Sequence, residues 1–170
     1  MTVKLIGAAM IISACGGFGF SMAAAHVREE AALSCLIRAL EWMELELSSN
    51  LTPLPALCRG AQENSDGPVR KFLADFASIL DTHTVPDPAL AARQILSELP
   101  ATGPTLYRHL EELGTILGRF DLPGQLQGLR CLRQRAELSL KEFTSNRQNR
   151  LRSYQTLGLC AGAALAILFL

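Results

Sequence analysis

The sequence is short of most of what catalysis requires. It holds three histidines, one tryptophan and two tyrosines in 170 residues. His26, His83 and His109 are scattered, so no pair of imidazoles is spaced for a metal or for acid–base work. His109 and Glu112 share one helical face at i, i+3, but without a third ligand the pair reads as a solvated surface. There is no G-x-x-x-x-G-K-[ST] loop. Gly16-Gly17-Phe18-Gly19 lies inside an apolar run with no strand before it, which speaks against a nucleotide cradle. No serine occupies a nucleophile elbow. Glu29-Glu30 and Glu111-Glu112 are sequence neighbours, so they diverge on a helix and do not share a pocket. Cys15, Cys35, Cys58, Cys131 and Cys160 are odd in number, widely spaced and without C-x-x-C, so neither a disulfide framework nor a zinc site is expected. They read as small buried hydrophobes. The expectation is a protein that is not an enzyme and holds no cofactor or metal.

Net charge is also absent: 16 basic residues balance 16 acidic ones. That gives no bulk attraction to nucleic acid, and the basic stretch lacks the aromatics of a stacking platform. The balance conceals a pattern. Residues 28–118 carry thirteen acids and seven bases, net −6, whereas residues 119–152 carry eight bases and three acids, net +5. An acidic body is followed by a basic stem.

Two long stretches are nearly free of charge. Val3 to Ala25 contains only Lys4, and Ser153 to Leu170 contains no charged residue. Each is long enough as a helix to cross a hydrocarbon core of ~30 Å. No face of "LGLCAGAALAILFL" is polar, and a helix apolar all round needs lipid or a large core. The expected organisation is an N-terminal transmembrane segment over 1–27, a cytoplasmic helical bundle over 28–152 and a C-terminal transmembrane segment over 153–170. Arg28, Arg147, Arg150 and Arg152 flank the apolar runs on the middle side, which places the middle in the cytoplasm by the positive-inside rule. Gly158-x-x-x-Gly162 gives the small-residue spacing that lets membrane helices approach closely. The alternative is a secreted or surface binding domain, with a leader cleaved near Ala25 and a C-terminal anchor.

Between the runs the apolar period is helical throughout, and no strand is expected. Leu33, Leu36, Ile37, Leu40, Met43 and Leu47 make one stripe. Thr52-Pro53 reads as cap and first residue of a short helix that stops near Gly60, and "ENSDGP" reads as a turn. Val69 to Leu80 gives the next stripe. Asp87-Pro88 restarts a helix bearing Leu90, Ile95, Leu96 and Leu99. Leu106, Leu110, Leu113 and Leu117 form another, with Gly118 as its stop. Asp121 opens the last, lined by Leu126, Leu129, Leu132, Ala136, Leu140 and Phe143. The fold class is all-α, a membrane-anchored bundle of five or six helices.

"KLIGAAMII", "LTPLPALC", "ELGTILGRFDLPGQLQGL" and "RSYQTLGLCAGAALAILFL" occur in order along the chain. Together they resemble the stage III sporulation protein AB family of endospore-forming bacteria. The resemblance implies a membrane scaffold in a secretion-like channel between mother cell and forespore, lodged in the outer forespore membrane and supporting late forespore gene expression. It implies similarity to the cytoplasmic helical domains of the type II secretion F component. The implied partners are other channel proteins of the set, among them a cytoplasmic ATPase, together with membrane lipid. Head-to-tail homo-oligomers are compatible with the charge pattern. On the family's pattern fall Thr52, Pro53, Leu54 and Pro55, and then Gly114, Leu117, Gly118, Asp121 and Gln125. Gln125 has no evident structural task, so it is a candidate partner contact, with Arg119, Arg130, Arg133 and Arg135 of the stem. Gly158 and Gly162 are the candidates for membrane packing.

Overall fold

A computed structural model describes the backbone of residues 2–82, 87–99, 102–117 and 121–169, and the side chains of 26–82, 87–99, 102–117 and 121–145. Among these residues there are six helices and no strand: α1 (Thr2–Asn50), α2 (Leu54–Glu63), α3 (Gly67–Thr82), α4 (Pro88–Glu98), α5 (Pro104–Ile116) and α6 (Leu122–Phe169). Prolines at the starts of α2, α4 and α5 supply the helical φ where no backbone N–H is needed. Asp87 caps α4 by accepting from Ala89 N at 2.9 Å.

Contacts between helices give the direction of each. His26 meets Phe143, with ring centroids 6.2 Å apart, and Glu44 meets Arg133, so α1 and α6 are antiparallel. The end at His26 and Phe143 is called proximal here, and the end where α1 stops is called distal. α2 runs back along α1, with Gly60 against Trp42 and Asp66 beside Cys35. Arg59 of α2 pairs with Asp81 of α3, which turns α3 distally again. α4 returns beside α5, joined by Arg93 and Glu111 at 2.7 Å. α5 starts proximally, where Thr105 N donates to Glu29 at 3.0 Å, and ends against Gly128 of α6. The result is an up-and-down bundle in which α1 touches α2, α3, α5 and α6.

The apolar stripes meet in one core. Leu33, Leu36, Leu40 and Met43 of α1 are fully buried, as are Phe72, Leu73, Leu110 and Leu132. Phe72 and Phe76 stack at 5.5 Å between centroids. Each buried large side chain contributes about 1.5–3 kcal/mol, which makes this core the main source of stability. Cys35 and Cys58 are buried in it, and the Cys35 thiol accepts from Asp66 N at 3.2 Å.

Three local expectations are corrected. Thr52 does not cap α2; its hydroxyl donates to Glu46 at 2.8 Å, and Pro53 holds the cap position without a side-chain bond. α2 does not stop at Gly60 but continues to Glu63, because Gly60 serves to admit the Trp42 ring. Leu90 follows the helical period yet is exposed, on the outer side of α4. Gly118, His83 and Pro100 lie outside the described residues.

Among the described residues, one outside glycine has a positive φ. Leu51, just past the end of α1, has φ 51, a left-handed conformation that costs a residue with a Cβ about 1–2 kcal/mol. The Glu46 carboxylate holds the turn by accepting from Asn50 at 3.0 Å and from Thr52. These bonds, Asn50 first, keep the Glu46 carboxyl below its usual pKa.

Candidate functional site

The basic stem is where a partner contact is expected, and the bundle already uses part of its charge. Arg133 Nε donates to Glu44 Oε1 at 2.8 Å, and its Nη1 to Glu137 Oε1 at 2.8 Å. The Glu44 side chain is 13% exposed and that of Arg133 29%, so this pair belongs to the α1–α6 seam. Arg130 stands 4.0 Å from the same carboxylate and is largely solvated. Arg135 pairs with Glu112 of α5 while remaining open to solvent. Gln125 is half-buried in the first turn of α6, and its backbone N–H donates to the Asp121 carbonyl at 2.9 Å. Arg119 lies outside the described residues, and the side chains around Gly158 and Gly162 are likewise outside them. Arg130, Arg133 and Arg135 thus share one helix but differ in role: Arg133 is a seam residue, Arg135 an α5–α6 tie, and Arg130 the freest of the three.

His109 and Glu112 do not converge on a shared ligand. His109 Nε2 is 3.0 Å from Ser139 Oγ on α6, and Glu112 is committed to Arg135. His109 is buried, and its Nδ1 has no hydrogen-bond partner. Burial and then the nearby Arg108 push its pKa below the usual histidine value, against a smaller opposing pull from Glu112 and a further push from Arg135. These effects favour the neutral imidazole, which is wedged between α5 and α6. Burial also pushes the Cys58 thiol up to about 12, far from a reactive thiolate. Among the described residues no three His, Cys, Asp or Glu side chains are placed to hold a metal. A cleft of about 190 Å³ forms an open trough between α3 and α4, lined by Asp75, Ser78, Ile79, Gln94, Ile95 and Glu98. Its lining holds one hydroxyl, Ser78, and no histidine, cysteine or lysine to activate it.

Sequence reasoning could not find two features. The Glu29 carboxylate receives the start of α5, and Gly103 is needed there because a Cβ would collide with that carboxyl group. Gly114 allows α4 and α5 to touch: a methyl at this position would overlap the Ala92 Cβ. Gly114 belongs to the stretch that prompted the family resemblance, and packing is its reason.

Among the described residues no helix is long and apolar enough to cross a membrane. The apolar side chains of 3–25 and 153–169 lie outside those residues, although the backbones of α1 and α6 are helical through these stretches.

Among the described residues this is an all-α up-and-down bundle organised around its first helix. The family described as Stage III sporulation protein AB matches residues 4–170, and the chain belongs to that family. A solved structure of a Stage III sporulation protein AB (SpoIIIAB) has the same fold, with a TM-score of 0.60 and 19% identity. The similarity covers 72% of this chain and 98% of that one. No curated protein matches the chain.

Proposed function

We propose that the chain is a non-enzymatic membrane scaffold of the sporulation channel joining mother cell and forespore. In this reading it sits in the outer forespore membrane with its body in the mother-cell cytoplasm. There it contacts a cytoplasmic secretion-type ATPase and other channel proteins, and so supports late forespore gene expression. The observation that carries the reading is the antiparallel pairing of α1 and α6. His26 and Phe143 meet at the proximal end, so the two helices bearing the apolar runs leave the body on one side. Two anchors on one side suit a body held at a membrane surface. Membership of a sporulation family supplies the biological setting. Arg130 and Gln125 are the polar groups on α6 that this reading offers to partners, and anionic headgroups are a second target for the basic stem.

Fractionation with topology mapping tests this reading. Protein from sporulating cells is expected to pellet with membranes and to release only into detergent. Protease added to intact cells is expected to spare residues 30–150. A soluble protein, or cleavage of that span from outside, overturns the scaffold reading. A mature chain whose mass begins at His26 establishes the cleaved-leader alternative instead.

A further inference from the structure

We propose that His109 is a proton-operated latch between α5 and α6: an imidazole that gains a proton lets α5 part from α6, while the α1–α6 seam stays closed. Such a latch operates within the body alone, whatever its partners.

Three contacts mark the seam between α5 and α6, and they run antiparallel. Gly128 lies against Ile116, Arg135 pairs with Glu112, and Ser139 Oγ is 3.0 Å from His109 Nε2. The first is apolar, and the second is open to solvent on its arginine side. The third sets a titratable ring into the packing, with His109 only 4% exposed.

The ring fits its site in one charge state. Neutral imidazole has one N–H and one bare nitrogen. With the N–H on Nε2, it donates to the Ser139 hydroxyl and leaves Nδ1 bare, buried and without a partner. A second proton makes Nδ1 a donor as well. That N–H would be buried with no acceptor and with a positive charge on the ring, which costs more than a bare neutral nitrogen.

The surrounding charges do not compensate. Arg108 on α5 and Arg135 on α6 oppose a proton on the ring, and Glu112 favours one. Glu112 is held by Arg135. α1 and α4 also pack on α5 and bring Glu29 and Arg93 to it. Both are engaged at other places on that helix, Glu29 by Thr105 N and Arg93 by Glu111.

A ring that turns out to water regains partners for both nitrogens. The open form therefore binds the proton more tightly than the closed one. Each pH unit between the two affinities multiplies the opening equilibrium by about ten. The latch is shut above the ordinary histidine value of 6.5 and loosens as pH falls towards the lower value of the closed form.

α6 has a second hold that this proton does not touch. Arg133 donates to Glu44 at 2.8 Å, and α1 is the helix on which α6 packs most. Loss of the His109–Ser139 contact frees α5 from α6 without freeing α6 from α1.

The test uses the full-length chain in detergent. Hydrogen exchange is read by mass spectrometry at about pH 7.5 and about pH 5.5, with the intrinsic rates divided out. Protection of residues 104–113 in α5 is expected to fall by about tenfold at the lower pH, while residues 69–77 in α3 keep theirs. His109→Gln, whose amide bonds Ser139 without titrating, is expected to protect 104–113 alike at both values. Ser139→Asp sets a carboxylate opposite the ring and is expected to keep 104–113 protected at the lower pH. If the parent protects 104–113 within about twofold at the two values, the latch is refuted. It is refuted too if His109→Gln loosens on acidification as the parent does, since another group then carries the effect. Loss of protection in 69–77 together with 104–113 means that the whole body unfolds, and the latch falls. If Ser139→Asp loosens as the parent does, the contact with α6 is not what the proton breaks, and the assignment falls as well.

Discussion

Gly114→Ala sets two effects of similar size against each other, and the structure decides the sign. In an exposed helix interior, replacing glycine by alanine gains about 1 kcal/mol of helix propensity. Gly114 is at the contact between α5 and α4, and a Cβ there would overlap the Ala92 Cβ, nearer than the 3.0 Å that real Cβ atoms essentially never breach. It would also stand 3.6 Å from the Ala92 Cα and 3.5 Å from the Pro88 carbonyl oxygen. Ala92 cannot rotate away, because its methyl is fixed to the backbone of a buried helix position. The helices must therefore part until the methyls reach ordinary contact. Core overpacking of this kind costs about 1–3 kcal/mol, and backbone against backbone belongs at the upper end. The net expectation is destabilisation by about 1–2 kcal/mol, the difference between the two terms. For a body of this size that lowers the Tm by roughly 3–8 °C. Thermal unfolding of the full chain in detergent, followed by far-UV circular dichroism, reads the shift. The double variant Gly114→Ala/Ala92→Gly returns the missing space and is expected to recover most of the loss. A Gly114→Ala protein as stable as its parent, or more stable, would refute the claim that α4 and α5 meet backbone to backbone at this point.

Three more outcomes follow from the seams and the core. Arg133→Glu puts a third carboxylate beside Glu44 and Glu137 and is expected to cost about 2 kcal/mol in urea unfolding, whereas Arg130→Glu, at a solvated site, is expected to change stability by less than about 0.5 kcal/mol. Equal effects of the two would remove the distinction between seam and surface. His109 has its folded pKa lowered from 6.5, so the unfolded chain binds the proton more readily. Stability from this group is full above the unfolded value and falls as pH drops below about 6.5 towards the lowered folded value. His109→Gln is expected to flatten the urea midpoint between pH ~7.5 and ~5 relative to the parent, and an unchanged slope would mean that the imidazole titrates freely. In a Cys15→Ser/Cys160→Ser background, a thiol reagent at neutral pH is expected to modify Cys131, which is partly exposed, while Cys58 reacts only on unfolding. Labelling of native Cys58 would contradict its burial.

Much of the fold was legible because each helix announces itself locally. The stripes on α1, α3, α5 and α6 carry the 3.6 period, and Asp87-Pro88 declares its helix start in two residues. What escaped depends on where helices meet. Gly60 looked like a stop because glycine usually breaks a helix, but the Trp42 ring that needs its space is 18 residues earlier in the chain. Thr52 looked like a cap until Glu46, on the preceding helix, proved to be its acceptor. Leu90 fits the period of a core residue and yet faces outward, since an apolar side chain does not say which side of a short helix is covered. The stem shows the same limit for the candidate site. Composition gave its positive charge, but only the fold shows that Glu44 and Glu112, 89 and 23 positions away from Arg133 and Arg135, absorb part of it.

The pairing of α1 with α6 bears on how the protein is made. α1 finds its largest single neighbour only after α6 has been synthesised, and the Arg133–Glu44 bond closes a loop of 89 residues. Contacts across so much chain form late, because closing the loop costs entropy before the packing is gained. Until then Leu33, Leu36 and Leu40 lack part of their cover. A nascent chain halted before residue 122 would be an incomplete body with an open apolar flank, an invitation to chaperones and proteases, and a ready form of quality control over which chains mature.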